Sequence, residues 1–241
     1  MVLCAARKRF TGGVATLQRS DLIDEMLDVR GRDVLDVGCG EGWLVRHLRE
    51  GGAGRVVGID PLAVAIERAR AADRLFADGY LEGSAAALPL EECSFDIVVF
   101  FNSLHHVAED ELDGALEEAL RVLRAGGLIY VQEPVATGEF HELMLAIEDE
   151  TASRAAAQAT LDRAIAGRRI AERSRRDALI GMTFDNFETW HELMVSVEPE
   201  RERTITAHGA ELRHAFGRLG HPVERGREFE LPVRVRILTP R

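Results

Sequence analysis

A glycine-rich turn directly behind a short apolar strand constrains the fold of this chain more than any other feature. Residues 34–42 read V-L-D-V-G-C-G-E-G, and a helical pattern begins at Trp43. Glycines let the backbone turn tightly and let a ligand approach the main chain without a Cβ in the way. In a parallel α/β sheet, nucleotide-like ligands bind at such a turn, at the carboxyl end of the first strand. The segment therefore predicts a cofactor-binding α/β domain.

Two common nucleotide motifs do not fit this turn. A dinucleotide fingerprint, G-x-G-x-x-G/A, needs a small residue where this chain has Trp43, because helix and strand pack closely there. A P-loop needs a lysine behind its glycines, and the one lysine of the chain is Lys8. The turn therefore favours a different nucleotide-like cofactor.

The order of the predicted elements indicates a parallel, doubly wound α/β sheet. Behind a leading amphipathic helix over residues 14–28, apolar strands alternate with helices. The strands are predicted at residues 33–37, 55–60, 80–83, 95–101 and 128–133. The helices between them are predicted at 43–50, 61–72 and 109–123. Such alternation requires right-handed crossovers, which place helices on both faces of the sheet.

The pattern changes behind the fifth strand. Residues 136–203 show no convincing strand, and helices are predicted at 139–165, 168–180 and 186–196. So long a stretch in place of a short connection predicts an inserted helical subdomain over 136–205, which we expect to form the substrate lid. The sheet domain then comprises residues 1–135 and 206–241. It closes with a helix at 208–219 and a hairpin of two strands at 223–230 and 233–238.

An aromatic and methionine stripe marks the last helix of the insertion. Phe184, Phe187, Trp190, His191 and Met194 recur there at helical spacing. Such a stripe forms either the core of a subdomain or the wall of a substrate pocket. The sequence leaves both interpretations open.

Further motifs follow the glycine turn in a fixed order. The second strand ends at Asp60. The segment E-G-S-A-A-A-L-P-L starts at Glu82, F-N-S-L-H-H-V starts at Phe101, and R-V-L-R-A-G-G starts at Arg121. Together with D-V-G-C-G-E-G, these segments resemble the motif series of class I S-adenosylmethionine-dependent methyltransferases. The resemblance covers residues 33–134 and the terminal strands and leaves the insertion outside.

The resemblance implies a seven-stranded, mostly parallel, Rossmann-like sheet and S-adenosyl-L-methionine as the cofactor. Asp60 would bond both ribose hydroxyls, since a carboxylate offers acceptors to two adjacent O–H donors. Ser84 stands where the family carries an aspartate for the adenine amino group, so its uncharged hydroxyl would make a weaker contact. Pro61 and Leu62 would pack near the adenine, and Asn102 would face the methionine portion. The implied cofactor-binding residues are Asp36, Gly38, Cys39, Gly40, Asp60, Pro61, Leu62, Ser84, Ala85 and Asn102.

Methyl transfer from a sulfonium depends mainly on alignment of nucleophile, methyl group and sulfur. A base is required only where the nucleophile carries a proton at neutral pH. We expect His106 to be that base, because the resemblance places it at the mouth of the cofactor pocket. The alternatives are His105, His141 and His191. The spacing of His105 and Glu109 arises easily at a helix start, so we expect no metal site.

The net charge limits the kinds of partner that fit this chain, and the cysteine content limits the kinds of compartment. The formal net charge of -11 opposes a nucleic-acid substrate, since phosphate binding requires lysine and arginine. The 3 cysteines are widely spaced, which fits free thiols in a reducing compartment. The sequence shows neither an apolar run long enough to span a membrane nor a signal-peptide pattern. We expect a cytoplasmic protein that acts on a small molecule away from the membrane; its oligomeric state stays open.

Three hypotheses follow from these patterns. The main hypothesis is a methyltransferase acting on oxygen or nitrogen of a small metabolite. The second is a non-catalytic module on the same fold that binds the cofactor or a partner, which Ser84 in place of aspartate supports. The third is a nicotinamide-dependent oxidoreductase, which Trp43 opposes.

Overall fold

The computed structural model describes residues 9–11, 14–16 and 20–241, with side chains from residue 20 onward. Contacts divide the chain into two compact units. We call residues 27–133, 153–176 and 234–241 the sheet unit. We call residues 1–26, 134–152 and 177–233 the helical unit.

The strands lie along the chain in the following order: β1 (Arg9–Thr11), β2 (Val14–Thr16), β3 (Asp33–Val37), β4 (Arg55–Asp60), β5 (Tyr80–Glu82), β6 (Phe95–Phe101), β7 (Leu123–Pro134), β8 (Ile170–Phe184), β9 (His221–Pro222) and β10 (Arg227–Pro240). The α-helices are α1 (Asp21–Met26), α2 (Trp43–Glu50), α3 (Ala63–Ala72), α4 (Leu112–Val122), α5 (Glu139–Met144), α6 (Thr151–Ala166), α7 (Phe187–Val197), α8 (Arg201–Ala207) and α9 (Gly209–Leu219). Strands β1 and β2 pair antiparallel with each other.

The main sheet has the strand order β5-β4-β3-β6-β7-β10-β8, with β9 added beside β10. Strand β3 pairs in parallel with β4 and with β6, and β4 with β5 and β6 with β7 are parallel as well. Val37, at the end of β3, lies opposite Ile59 on β4 and Phe100 on β6. The loops behind these three strands therefore start side by side at one edge of the sheet. The predicted doubly wound, mostly parallel, seven-stranded fold is confirmed, with one extra short strand.

The central strands form the core of the sheet unit because both of their faces are buried. Leu35 on β3 and Val98 on β6 are both fully shielded from solvent. Near-continuous apolar runs are typical of parallel strands covered on both sides. The predictions of these strands, of β4 and of α2 agree with the structure within a residue or two.

The predicted helix at 168–180 is wrong, because strand β8 occupies Ile170–Phe184. Helix α6 ends at Ala166, and Arg168 behind it has a left-handed φ of 59°. Arg169 N–H then donates back to Ala164 O at 3.1 Å. Such a left-handed C-cap stops a helix. Alanine, glutamate and arginine favour helix in isolation, but pairing with β10 overrides that local preference.

The predicted terminal hairpin at 223–230 and 233–238 is also wrong. Strand β10 continues through Pro232 without a break. The hairpin lies one step earlier, because β9 pairs antiparallel with the start of β10 across a turn that contains Gly226 at φ 89°. Glycine accepts that backbone conformation at no steric cost. Gly226 therefore marks the turn of the hairpin, whereas Leu231-Pro232 does not.

Two other helix predictions are corrected in length. The leading helix predicted at 14–28 is helical only over Asp21–Met26, while Val14–Thr16 is strand β2 and residues 17–19 lie outside the described residues. The helix predicted at 139–165 is two helices, α5 and α6, separated by residues 145–150. Periodicity alone did not show this break.

The aromatic stripe lies in the interior of the helical unit. Phe184 and Phe187 are each 6% exposed, Met194 is 5% exposed and Trp190 is fully buried. The Trp190 ring centroid lies 5.0 Å from that of Phe187 and 6.1 Å from that of Phe216. The structure thus supports the core interpretation of this stripe.

Within the described residues, no helix is long and apolar enough to cross a membrane.

An ion cluster joins the amino ends of β3, β6 and β7. Asp96 accepts a hydrogen bond from Asp33 N–H at 2.9 Å and pairs with Arg124 at 3.1 Å. Arg124 also contacts the Asp33 carboxylate at 2.7 Å. The Asp33 N–H, and then Arg124, hold the pKa of Asp96 below its usual value.

We expect Asp96 to make folding sensitive to acid. A carboxyl group with a lowered pKa in the folded state adds stability above its unfolded pKa of about 3.9, and that stability disappears as the pH falls through the folded value. In Asp96→Asn the free energy of unfolding should decrease less between about pH 5 and pH 2 than in the wild type. Urea denaturation at several pH values measures this difference, and equal slopes would contradict the prediction.

We expect a steric difference between two glycines that both need a left-handed backbone. Gly42 has φ 75°, and a Cβ there would lie 2.4 Å from the buried ring of Tyr80. Gly126 has φ 81° with open space around it. Gly126→Ala should cost about 1–2 kcal/mol of unfolding free energy for the backbone alone. Gly42→Ala should cost about 1–3 kcal/mol more for the clash, which denaturant unfolding of both variants measures.

Candidate functional site

The turn behind β3 is tied to the end of β4 by main-chain hydrogen bonds. Gly38 N–H and Cys39 N–H both donate to Ile59 O, at 2.7 Å and 2.9 Å. Gly38 and Gly40 have positive φ values of 77° and 52°. A Cβ on Gly38 would lie 2.5 Å from Ser103 Cβ, whereas a Cβ on Gly40 would meet open space. Gly38 is therefore required for packing, and Gly40 leaves the main chain open to a ligand.

Asp60 places a carboxylate beside this open turn. Its Oδ2 accepts a hydrogen bond from Gly40 N–H at 2.8 Å, and its Oδ1 accepts one from Leu62 N–H at 2.9 Å. The residue is 7% exposed. Each carboxylate oxygen has a second lone pair, so the fixed Asp60 can still accept from two hydroxyls.

The loops behind β4 and β5 supply an apolar surface and a local turn. Leu62 is 51% exposed although it is apolar, and Pro61 beside it is exposed as well. Ser84 Oγ accepts a hydrogen bond from Ala86 N–H at 3.2 Å. The serine thus stabilises its own loop, with Ala85 at the centre of that turn. Gly83 N–H donates to Asp60 O at 3.1 Å, which connects this loop to β4.

Asn102 lies at the end of β6 in a left-handed conformation, with φ 55°. Its N–H donates to Gln132 O at 2.7 Å. Its side-chain Oδ1 is buried and has no hydrogen-bond partner among the residues that the structure describes. A buried acceptor without a partner is costly, and strained backbone often marks ligand sites. Asn102 Oδ1 suits an N–H donor such as the ammonium group of a methionine moiety.

Asp36 and Cys39 are enclosed rather than open. Asp36 on β3 is 1% exposed. Burial, and then the charges of Asp36 and Asp60, raise the pKa of the Cys39 thiol, which therefore stays protonated. A Cβ on Gly58 would lie 2.8 Å from Cys39 Sγ, so Cys39 fills space where helix α2 approaches the sheet. Gly58, a position that the motif comparison did not single out, allows this close packing.

The four candidate histidines fall into two groups. His105 and His106 belong to the sheet unit, with their ring centroids 4.0 Å apart. His105 is 5% exposed, whereas His106 is exposed. His141 and His191 belong to the helical unit. There His141 Nε2 lies 3.4 Å from Thr151 Oγ1, and His191 Nε2 lies 3.0 Å from a carboxylate oxygen of Glu202.

Glu133 is a site residue that sequence reasoning missed. It lies near the end of β7, is 1% exposed, and contacts Nδ1 of His105. The signal was present, because Glu133 ends an apolar strand just as Asp36 and Asp60 do.

The segment R-V-L-R-A-G-G holds a neighbouring loop in place. Arg121 donates to the carbonyl oxygens of Leu88 and Leu90, at 3.1 Å and 2.8 Å. Glu118 accepts from Leu88 N–H at 2.8 Å and also pairs with Arg121. These bonds fasten the L-P-L loop to helix α4.

Comparison with known proteins shows similarity to methyltransferases. A family model described as a methyltransferase domain matches residues 35–131. The chain is similar to an uncharacterized methyltransferase of Mycobacteroides abscessus, with 38% identity over 126 residues, or 50% of this chain and 48% of the relative. It is also similar to a malonyl-[acyl-carrier protein] O-methyltransferase of Enterobacter lignolyticus, with 32% identity over 139 residues, or 56% of this chain and 53% of the relative. The chain thus spans about half the length of the curated relatives it matches.

A solved structure shows the same fold over nearly the whole chain. A candidate methyltransferase of Bacillus halodurans superimposes with a TM-score of 0.59 at 20% identity, covering 91% of this chain and 98% of that one. The comparisons support S-adenosylmethionine as the methyl donor. The residues present fit that donor, since Asp60 offers acceptors for ribose hydroxyls and Asn102 Oδ1 offers a buried acceptor for an ammonium group.

We expect the open face of Gly40 to be needed for the cofactor. Gly40→Ala should weaken binding of S-adenosylhomocysteine about tenfold or more, because the added methyl group would occupy the space through which a ligand approaches the main chain. Isothermal titration calorimetry measures this loss.

Gly31→Ala is the matched control for that variant. Gly31 has φ 67° and open space around it, so both substitutions carry the same backbone strain of about 1–2 kcal/mol. Gly31 lies in the loop before β3, at the opposite end of that strand. The control should bind S-adenosylhomocysteine as the wild type does. Equal affinity of the two variants would mean that the cofactor does not pass over Gly40.

Proposed function

We propose that this protein is an S-adenosylmethionine-dependent methyltransferase that transfers a methyl group to oxygen or nitrogen of a small molecule. The observation that carries the proposal is the Asp60 carboxylate, fixed 2.8 Å from the main-chain nitrogen of an open glycine turn. The family match over residues 35–131 supports it. S-adenosylmethionine supplies a methyl group on a sulfonium, which leaves readily because the product is a neutral thioether.

The residues of the sheet unit divide the binding of this donor among them. Asp60 accepts hydrogen bonds from the ribose hydroxyls, and Leu62 packs against the adenine ring. Asn102 Oδ1 accepts a hydrogen bond from the ammonium group of the methionine portion. The Gly38–Gly40 turn leaves room for the main chain of the protein to approach the donor closely. Binding in this way contributes to the rate mainly through alignment, because fixing the reacting groups removes most of the entropy cost of bringing them together.

The class of acceptor is supported by a relative. The similar protein of Enterobacter lignolyticus is named as an O-methyltransferase, which supports oxygen as the accepting atom here. The segment 136–205 remains our proposal for the part of the chain that selects the acceptor, since it lies beyond the matched residues 35–131. We also propose that the acceptor is a small molecule and that the protein acts in the cytoplasm.

Two experiments test the function. Calorimetry should show the protein binding S-adenosylmethionine and S-adenosylhomocysteine. Incubation with donor carrying a labelled methyl group and the low-molecular-weight fraction of a bacterial extract should then transfer label to a small molecule.

The two measurements separate the hypotheses. No binding of either cofactor would reject the proposal. Cofactor binding without transfer of label to small molecules or to protein would instead support the non-catalytic module. Oxidation of a reduced nicotinamide, followed by absorbance, would be needed to support the oxidoreductase, which the bulk of Trp43 stacked on His47 opposes.

A further inference from the structure

Gln132 on β7 lies at the same level of the sheet as the glycine turn. Parallel pairing places Val37 on β3 opposite Phe100 on β6, and Phe100 opposite Val131 on β7. Gln132 is therefore one residue beyond the level at which β3 ends, in line with Gly38. Ligands of doubly wound sheets bind at the carboxyl ends of the strands. Gln132 thus belongs to the same edge as the proposed cofactor site.

The side chain of Gln132 leaves the sheet on the same face as that of Asp60. Paired positions cross four neighbouring strands of the sheet unit in one row: Gly58 on β4, Asp36 on β3, Val99 on β6 and Tyr130 on β7. Residues two positions apart on a strand share a face, so Asp60 and Gln132 share the face of the row from which they follow. Neighbouring strands are about 4.8 Å apart, which places the two positions about 14 Å from each other across the sheet.

The side-chain amide of Gln132 is buried with an unused donor. The residue is fully shielded from solvent. The Tyr130 hydroxyl donates to Gln132 Oε1 at 3.0 Å, which turns the NH2 group away from Tyr130. Gln132 Nε2 has no hydrogen-bond partner among the residues that the structure describes. A buried donor without an acceptor is costly to the folded state, so we expect a ligand to supply the missing acceptor.

The proposed methyl donor accounts for the edge as far as β6 but not for β7. Asp60 on β4 would hold its ribose, and Asn102 at the end of β6 would hold its ammonium group. Asn102 N–H donates to Gln132 O at 2.7 Å, so these two residues are neighbours. Gln132 therefore lies one strand beyond the methionine end of the donor, on the side away from the ribose.

The buried amide matches a neutral oxygen better than a charged one. An NH2 group donates hydrogen bonds without carrying a charge. A carboxylate buried against Gln132 would need a compensating cation, whereas a carbonyl oxygen needs only a donor. This preference favours a carbonyl group of the methyl acceptor over the carboxylate of the methyl donor.

We propose that Gln132 is a specificity-determining residue whose Nε2 donates a hydrogen bond to a neutral carbonyl oxygen of the methyl acceptor. The role rests on the proposed function and narrows it to acceptors with a carbonyl group beside the hydroxyl or amine that receives the methyl group. The hydrogen bond holds the acceptor in line with the donor and takes no part in the bonds that form and break. Tyr130 is a positioning residue, because its hydroxyl fixes the orientation of the amide.

The identity of the methylated product is the first measurement. The wild-type protein is incubated with donor carrying a labelled methyl group and with the low-molecular-weight fraction of a bacterial extract. Mass spectrometry and NMR of the labelled product should show a carbonyl group on a carbon next to the one that bears the methylated atom. A labelled product without such a carbonyl group would overturn the assignment.

Matched acceptors then test Gln132 itself. The acceptor identified in this way is compared with an analogue in which CH2 replaces the carbonyl group. The wild type should prefer the carbonyl compound about tenfold or more in kcat/KM, because the analogue leaves a buried donor unpaired. Gln132→Met keeps a side chain of similar length but has no donor. It should lose this preference, mainly through a higher KM for the carbonyl compound, and a variant that kept the wild-type preference would contradict the proposal.

Two further variants separate this role from a merely structural one. Gln132→Met leaves the Tyr130 hydroxyl without its acceptor in Gln132, so the double variant with Tyr130→Phe removes both polar groups and guards against a loss of folding. The double variant should lose the carbonyl preference as well. Asp96→Asn exchanges a carboxylate for an amide at the amino ends of the strands and should keep the preference. A general effect on folding would instead lower transfer to both acceptors equally.

Calorimetry with S-adenosylhomocysteine distinguishes the acceptor from the methyl donor as the partner of Gln132. Gln132→Met should bind S-adenosylhomocysteine as the wild type does. Weaker binding with an unchanged acceptor preference would assign the amide to the carboxylate of the cofactor and reject our assignment.

The proposed function and the role of Gln132 fail in different ways. If the wild type does not bind S-adenosylhomocysteine, or binds it without labelling any compound, the proposed function fails and the role of Gln132 fails with it. If the wild type methylates a compound that has no carbonyl group, the function stands and the role of Gln132 alone is rejected.

Discussion

The rest of the site depends on the side-by-side ending of β3 and β4. Parallel pairing brings Val37 opposite Ile59, so the turn behind β3 meets the carbonyl of Ile59 and the carboxylate of Asp60. The main-chain bonds from Gly38 and Cys39 hold the turn, and the bond from Gly40 holds the carboxylate. Removing the glycines or the carboxylate would affect both the fold and the binding surface, because the same atoms serve both.

Strand β6, which pairs with β3 on its other side, contributes a second loop to the site. Strand β6 ends beside β3, and its loop returns a hydrogen bond from Ser103 to Val37 O. Glu133 on the next strand, β7, then fixes that loop from the other side. Three acidic residues, Asp36, Asp60 and Glu133, thus end or nearly end three strands of one sheet. Their roles differ because their neighbours differ, with backbone N–H groups around Asp60 and a histidine at Glu133.

Much of the sheet unit could be predicted because its signals are local. The apolar runs of β3, β4 and β6, the glycines behind β3 and the acidic end of β4 each lie within a few residues of chain. The segment Ile170–Phe184 could not be predicted in this way. Its composition favours helix, and it becomes a strand because β10 offers it a partner from more than forty residues away. The prediction of a hairpin at Pro232 was wrong for a similar reason. A proline indicates a local break, but β10 continues through Pro232 because it pairs with neighbouring strands.

The sequence by itself determined the class of fold, and it indicated S-adenosylmethionine as the cofactor. Motif spacing encodes these, because consecutive strands of a doubly wound sheet place their carboxyl ends together. The tertiary structure decided which of the two adjacent histidines is buried and which aromatic residues form a core. His105 and His106 are adjacent and chemically identical in the sequence. In the structure His105 is buried and contacts Glu133 from another strand, whereas His106 is exposed. Such a difference depends on long-range packing, which no local pattern records.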